Sequence, residues 1–257
     1  MKRVMHTTWI KAKAQLGFLI SPFILLVVWQ WVSSQGLISD QLLPSPWQIA
    51  QRAYEVLWIN DNFLQSVLIT GFRLFAGLSI AIVAGVSLGL MSQLSKKGAF
   101  FIGGAVKILA PIPKIALYPA LVLILGFDHS SKVTLVALDA VFPILLATWA
   151  AAQNVDTKLV WSAQAFGTSK IGLAYKVYLP AILPTLLAGI RVACIIGCVV
   201  VFLAEMIAST DGLGHMLTTA ARNYIIVDMF VPLVWICAIG MGLNYGIGKL
   251  QRYLRYN

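Results

Sequence analysis

The chain has 257 residues, 60% of them hydrophobic and only 11% charged, whereas a soluble domain carries about 25% charged residues. So little polar surface cannot coat a soluble core, which excludes an ordinary soluble enzyme, a disordered chain and a nucleic-acid-binding domain. The net charge of +10 sits at the ends of apolar runs and forms no basic stripe, as expected where charge orients a protein in a membrane.

About 20 residues of helix cross the hydrocarbon core. Six stretches reach that length: Ala14 to Ser33, Ser66 to Ser92, Gly98 to Phe127, Ser131 to Ala152, Pro184 to Ser209 and Met229 to Gly248. The expected fold is therefore all-α, one polytopic membrane domain over residues 1–257. The first stretch, preceded by Lys2, Arg3, Lys11 and Lys13, mimics a secretory signal. Its apolar part is too long and Ser33-Ser34-Gln35 is a poor cleavage site, so an uncleaved span is expected.

In the loop over residues 34–65, Ser45-Pro46-Trp47-Gln48 reads as a helix start. The serine oxygen takes a free N–H, and proline in the first turn loses no hydrogen bond. Ile49, Ala53, Val56 and Leu57 then form an apolar stripe, which predicts a short interfacial helix on the outer membrane surface. The third stretch holds Pro111, Pro113 and Pro119, and reads as one broken span or as a span plus a re-entrant piece.

Loop charge sets the orientation. Lys2, Arg3, Lys11, Lys13, Lys96, Lys97, Lys158, Lys170, Lys176, Lys249, Arg252 and Arg255 fall on one side, against Arg52, Lys132 and Arg222 on the other. That bias alternates correctly across six spans and places both termini in the cytoplasm. The loop over residues 153–183 is then cytoplasmic and the loop over residues 34–65 periplasmic.

No phosphate loop, H-E-x-x-H motif or G-x-S-x-G elbow occurs. Cys194, Cys198 and Cys237 lie in apolar runs without acids or histidines beside them, and read as packing residues. No cofactor, metal or catalytic residue is expected on this chain. Any energy source for transport must sit on another one.

The segment from Gln153 to Leu183 is long for a connection. Thr157 to Phe166 reads as a helix, and Gly167 suits the left-handed position that ends one. A second amphipathic stretch would place Ile171, Ala174, Tyr175 and Tyr178 on one face, with Pro180 and Pro184 breaking the chain before the fifth span. Together these make a compact knob fit for a groove on a partner.

The spacing of Ala163, Gly167 and Val177-x-Leu179-Pro180 resembles the "EAA" loop of ABC importer permeases. Leu43-Pro44-Ser45-Pro46, the run Pro111 to Pro119, Phe142-Pro143, Gly189-Ile190-Arg191, Ala204-Glu205-Met206 and Gly212-Leu213-Gly214 resemble the nitrate/sulfonate/taurine permease family. Trp161 and Ser162 stand where that loop's usual Glu and first Ala fall, and Lys114 where an apolar residue or proline is more usual. The resemblance implies a type I ABC importer permease fold in the bacterial inner membrane. It implies a permease homodimer, two cytoplasmic ATPase subunits that hold ATP and Mg, and a periplasmic or lipid-anchored substrate-binding protein. Trp161, Ser162, Ala163, Ala165, Phe166, Gly167, Leu179 and Pro180 would couple to the ATPase. The implied cargo is a small anion such as a sulfonate, taurine or nitrate, with aromatic acids and pyrimidine or vitamin precursors as alternatives.

Arg73, Lys107, Lys114, Asp139, Arg191 and Glu205 lie within or near the spans, where an unpaired charge costs a few kcal/mol or more. Arg73 and Lys107 are expected to snorkel toward an interface. Lys114 and Asp139 either pair or line the path. The candidate translocation path comprises Pro111, Pro113, Lys114, Pro119, Asp139, Arg191 and Glu205, because proline-broken backbone is tolerated only beside a cavity or protein. Two other readings are a stand-alone ion-gradient-driven carrier or channel using Asp139 and Glu205, and a plain membrane anchor.

Overall fold

The computed structural model describes residues 20–39, 42–59 and 61–256. The basic residues before the first span, Asp40 and the first part of the stretch Ala14 to Ser33 lie outside them. The described chain is helical. α1 covers Ile20–Ser34, α2 Pro46–Ile59, α3 Asp61–Leu94 and α4 Lys96–Leu109. A 3-10 turn (Lys114–Leu117) leads to α5 (Tyr118–Leu125) and α6 (His129–Gln153). Then come α7 (Thr157–Ala165), α8 (Lys170–Leu173), a π-helical turn (Ala174–Tyr178), α9 (Leu179–Ile207), α10 (Leu213–Arg222) and α11 (Ile226–Tyr256).

Four described helices are long and apolar enough to cross a membrane, and the bent pair Lys97–Leu109 and Lys114–Leu125 makes up to five. These correspond to five of the six expected stretches; α1, the described part of the first, is apolar but shorter than a span. The proline-rich third stretch bends by 81°. Pro111 and Pro113 have no N–H to continue α4, whereas Pro119 sits harmlessly in the first turn of α5. The Tyr118 hydroxyl ties the bend to the end of α9 through the Ala208 carbonyl, 3.1 Å away.

The core is the stack of α3, α6 and α9. Lipid supplies no hydrophobic force between helices, so close backbone approach has to hold them. The glycines of α3 provide it: a Cβ on Gly77 would lie 2.6 Å from Val136 Cγ1, one on Gly85 2.9 Å from Ile144 Cβ, and one on Gly89 2.6 Å from Thr148 Cβ.

The capping box at Ser45 forms as expected. Gln48 N donates to Ser45 Oγ (3.2 Å), and Ser45 N donates to Gln48 Oε1 (2.9 Å). The stripe of α2 serves packing. Ile49, Ala53 and Val56 are buried against protein, chiefly α11, while Trp47, Tyr54 and Trp58 face outward. Arg52 locks the contact with a two-pronged bond to Asp228 at 2.6 and 3.2 Å. That bond, opposed by burial and helped by Asp228's charge, raises the Arg52 pKa above its ordinary value.

One expectation is corrected in the segment before α9. Pro180 and Pro184 do not break the chain, and Lys170–Ile207 runs as one 38-residue helical segment. Pro180 falls in the first turn of α9, and the π-turn just before it widens the helix where the proline ring would otherwise crowd the preceding turn. The same turn shifts the helical phase. Ala174 is buried, whereas Ile171 and Tyr175 are exposed, so these residues do not share one face.

Candidate functional site

The knob and the span network occupy opposite ends of the bundle. At the knob, the Asp156 side chain caps α7 by accepting from Lys158 N at 2.9 Å. The far end of α7 closes in a Schellman motif: Thr168 N donates to Ala163 O (3.0 Å) and Gly167 N to Gln164 O (2.9 Å), with Gly167 at φ +78°. Ser169 Oγ then accepts from Gly172 N at 3.1 Å to start α8. Two short helices are thus set at a fixed corner, and the second passes through the π-turn straight into α9.

The sequence-predicted coupling residues from Trp161 to Gly167 fall on this corner, whereas Leu179 and Pro180 open α9 beyond it. Trp161 (66% exposed) and Phe166 (88% exposed) present aromatic faces to water, beside exposed Ser162 and Ala165 and half-buried Ala163. Pro180 is exposed and Leu179 half-buried. Leu173 and Ala174 are buried and anchor the knob. These exposed aromatic side chains lie outside the long apolar helices and are candidates for a protein contact.

The charges divide into separate clusters. Lys114, at the bend, is buried. Its Nζ donates to Ala110 O (2.8 Å), lies 3.7 Å from Asp139 Oδ1 and sits 4.2 Å from the centre of the Phe142 ring. Pairing with Asp139 is thus formed, and Pro111, Pro113 and Pro119 are exposed around it.

Glu205 lies elsewhere, toward the opposite end. It is fully buried and accepts from Arg73 Nη1 (2.8 Å), the Thr70 hydroxyl (2.9 and 3.0 Å) and Gly214 N (3.0 Å). The structure does not bring it together with Lys114. Arg73, expected to snorkel, is only 1% exposed, because Glu205 and Asp211 offer it counter-charges in place of hydration. Its Nη2 reaches Asp211 Oδ1 at 2.5 Å and its Nε donates to His129 Nδ1 at 3.1 Å. Burial raises the Asp211 carboxyl pKa, but the Arg73 bond and charge and the Ser209 bond outweigh it, leaving it below its ordinary value.

Sequence reasoning missed this network and also missed Lys132. Lys132 is fully buried and donates to the carbonyls of Phe127 and Asp128, so it is no loop charge. A usable signal existed: Thr70 and Arg73 are one helical turn apart, and an intramembrane arginine and glutamate each need a partner. Arg191 sits toward the knob end of α9 against α11, bonded to Asn244 (2.9 Å) and Gln251 (3.5 Å).

A cavity of about 530 Å³ opens at the end opposite the knob, lined among others by Arg52, Gln65, Thr210, Asp211, His215 and Asp228. Among the described residues no group of His, Cys, Asp or Glu is gathered closely enough to hold a metal ion.

Comparison with known proteins agrees with this architecture. Residues 77–254 match the family model described as "Binding-protein-dependent transport system inner membrane component". The chain is 34% identical, over 92% of its length and 90% of the relative's, to a permease of Escherichia coli (strain K12) named for aliphatic sulfonates transport. It is 27% identical, over 90% and 86% of the two lengths, to the taurine transport system permease of the same organism. Among solved structures it is similar to the inward-facing MetNI methionine ABC transporter, with a TM-score of 0.68 at 19% identity over 78% of this chain and 98% of that one. A bacterial alginate ABC transporter, solved in complex with an alginate pentasaccharide-bound periplasmic protein, gives a TM-score of 0.62 at 12% identity over 95% and 96%.

Proposed function

The chain belongs to the binding-protein-dependent transport system inner membrane components, and from that membership we propose that it is the permease of an ATP-driven importer of small aliphatic sulfonates. Two copies line the path, two ATPase subunits grip the knobs from the cytoplasm, and a substrate-binding protein delivers cargo from outside. ATP and Mg belong to the ATPase. The chain itself supplies passage and coupling.

The observation that carries this reading is the continuity of the knob with α9. The exposed corner bearing Trp161 and Phe166 is joined at the Gly167 turn to Lys170–Ile207, one helical segment that includes a core span. A partner that moves the corner therefore moves the bundle. Ser162, Ala163 and Ala165 shape its surface, Gly167 sets its angle, and Leu179 and Pro180 pass the motion on. Lys114 and Asp139 at the bend, with Arg191, are the charged residues of the path. The lysines around the knob favour a cytoplasmic position for it. Sulfonate is favoured as cargo by the 34% identity to the sulfonate permease. For the cycle to turn, ATP and the loaded binding protein must both favour the outward-open state.

A gradient-driven carrier receives less support. The acids it would use are already engaged, Asp139 by Lys114 and Glu205 by Arg73, Thr70 and Gly214. The test is uptake of a radiolabelled alkanesulfonate into vesicles. The importer requires ATP, the ATPase and the binding protein together. Uptake by this chain alone on an ion gradient would overturn it.

A further inference from the structure

Among the described residues five basic side chains are not exposed: Arg52, Arg73, Lys114, Lys132 and Arg191. Arg52, Arg73 and Lys114 each hold a carboxylate, and Lys132 donates to the Phe127 and Asp128 carbonyls in the turn between α5 and α6. Arg191 has neither. Its Nε donates to Asn244 Oδ1 and its Nη1 to Gln251 Oε1, both neutral amides of α11. The Gln251 amide nitrogen is itself committed, donating to the Pro184 carbonyl at 2.9 Å. Gly248 of α11 lies beside the guanidinium, where a Cβ would be 3.7 Å from Cζ.

The bonding pattern has a direction. The two amide oxygens are consumed by Arg191, whereas Arg191 Nη2 and Asn244 Nδ2 donate to no described residue. The cluster therefore offers unspent donors around a full positive charge. A cation within an apolar span needs a counter-charge to offset its lost hydration. A guanidinium fork with an amide N–H beside it matches an oxyanion head group.

We propose that Arg191 and Asn244, with Gly248 leaving room beside them, bind an oxyanion, sulfonate or phosphate, at the knob end of the bundle between α9 and α11. The oxyanion comes either from the cargo on its way into the cell or from a lipid head group. Identifying it as cargo rests on the importer reading above; the binding itself rests only on this geometry.

The experiment uses the purified full-length chain in a maltoside detergent, which carries no phosphate, and reads the thermal unfolding midpoint. Methanesulfonate is compared with chloride at equal ionic strength, and phosphatidylglycerol is added in a separate arm. The wild-type midpoint rises by several degrees with at least one of the two oxyanions. A methanesulfonate response assigns the site to cargo chemistry, and a response to phosphatidylglycerol alone assigns it to lipid.

Arg191→Gln removes the response. Asn244→Asp also removes it and raises the midpoint without any added anion, because it supplies the missing carboxylate; this variant keeps the test decisive if Arg191→Gln fails to fold. No response in the wild type, or a response that persists in Asn244→Asp, overturns the proposal. Neither ATPase nor uptake enters the measurement, so the site and the importer reading can fail separately.

Discussion

Arg73 Nη1 and Glu205 Oε1 meet at 2.8 Å, both side chains sealed from solvent, and so join α3 to α9 inside the membrane-spanning bundle. Removing one partner of such a pair leaves an uncompensated charge and costs about 3–5 kcal/mol, whereas replacing both by apolar groups is often close to neutral. Glu205→Ala is therefore expected to abolish accumulation of folded protein in the membrane. The Arg73→Leu, Glu205→Leu double variant recovers part of it. Fluorescence-detected size exclusion of the three proteins measures this. A double variant worse than Glu205→Ala alone would show that the pair is not what Glu205 serves.

Asp211 extends the same network toward the end opposite the knob. Its carboxyl pKa is held below the ordinary 3.8, so it contributes stability that is fully present above about pH 4. That stability is lost as the pH falls through the lower folded value. The midpoint of unfolding should stay flat from neutrality to about pH 5 as far as this group is concerned. Asp211→Asn lowers the midpoint at neutral pH and narrows its gap to wild type at low pH. A constant gap down to pH 3 would remove Asp211 from the network.

The glycines of α3 predict a steric outcome. Gly89→Val puts a branched side chain where a bare Cβ would already lie 2.6 Å from Thr148 Cβ. Overpacking a core costs about 1–3 kcal/mol, and neither α3 nor α6 can yield without parting from α9. Gly104, with nothing within 4 Å of a Cβ, is the control: Gly104→Val should fold. Equal thermal midpoints for the two variants would contradict the packing argument.

What the sequence made legible follows from the range of each signal. The capping box at Ser45, the turn at Gly167 and the proline break after α4 are local, and each formed where its residues stand. Pro180 misled because a five-residue π-turn just before it accommodates the ring without ending the helix, and Pro184 is carried inside α9. Arg73 misled for a different reason. Its burial depends on Glu205 and Asp211, more than 130 positions away, and no window on the sequence holds both partners.

Gly167 offers a way to separate folding from coupling. A Cβ there meets nothing within 4 Å, yet φ is +78°, so the cost of substitution is conformational, about 1–2 kcal/mol for a residue other than glycine or asparagine. Gly167→Val should assemble with the ATPase but hydrolyse ATP without stimulation by the loaded binding protein. Gly167→Asn, which tolerates the left-handed region, should retain most of the stimulation. Stimulated ATPase activity in reconstituted vesicles distinguishes them, and wild-type stimulation in Gly167→Val would sever the corner from coupling.

Lys114 and Asp139 set the last test, because pairing and anion contact predict different half-saturating concentrations after a charge swap. The Lys114 ammonium is held by a carbonyl, a carboxylate and an aromatic face, which favours a clasp that pins the bend to α6. Lys114→Ala leaves Asp139 unpaired beside exposed backbone and should lower the amount of folded transporter several-fold. The Lys114→Asp, Asp139→Lys exchange restores the attraction with its polarity reversed. If the pair is a clasp, the exchange recovers assembly and maximal uptake, with an unchanged half-saturating sulfonate concentration. If the ammonium also meets the cargo, assembly recovers while the half-saturating concentration rises about tenfold, the effect of losing roughly 1.4 kcal/mol of charge-assisted bonding. Uptake curves for the exchange variant, normalised to folded protein, decide between the two.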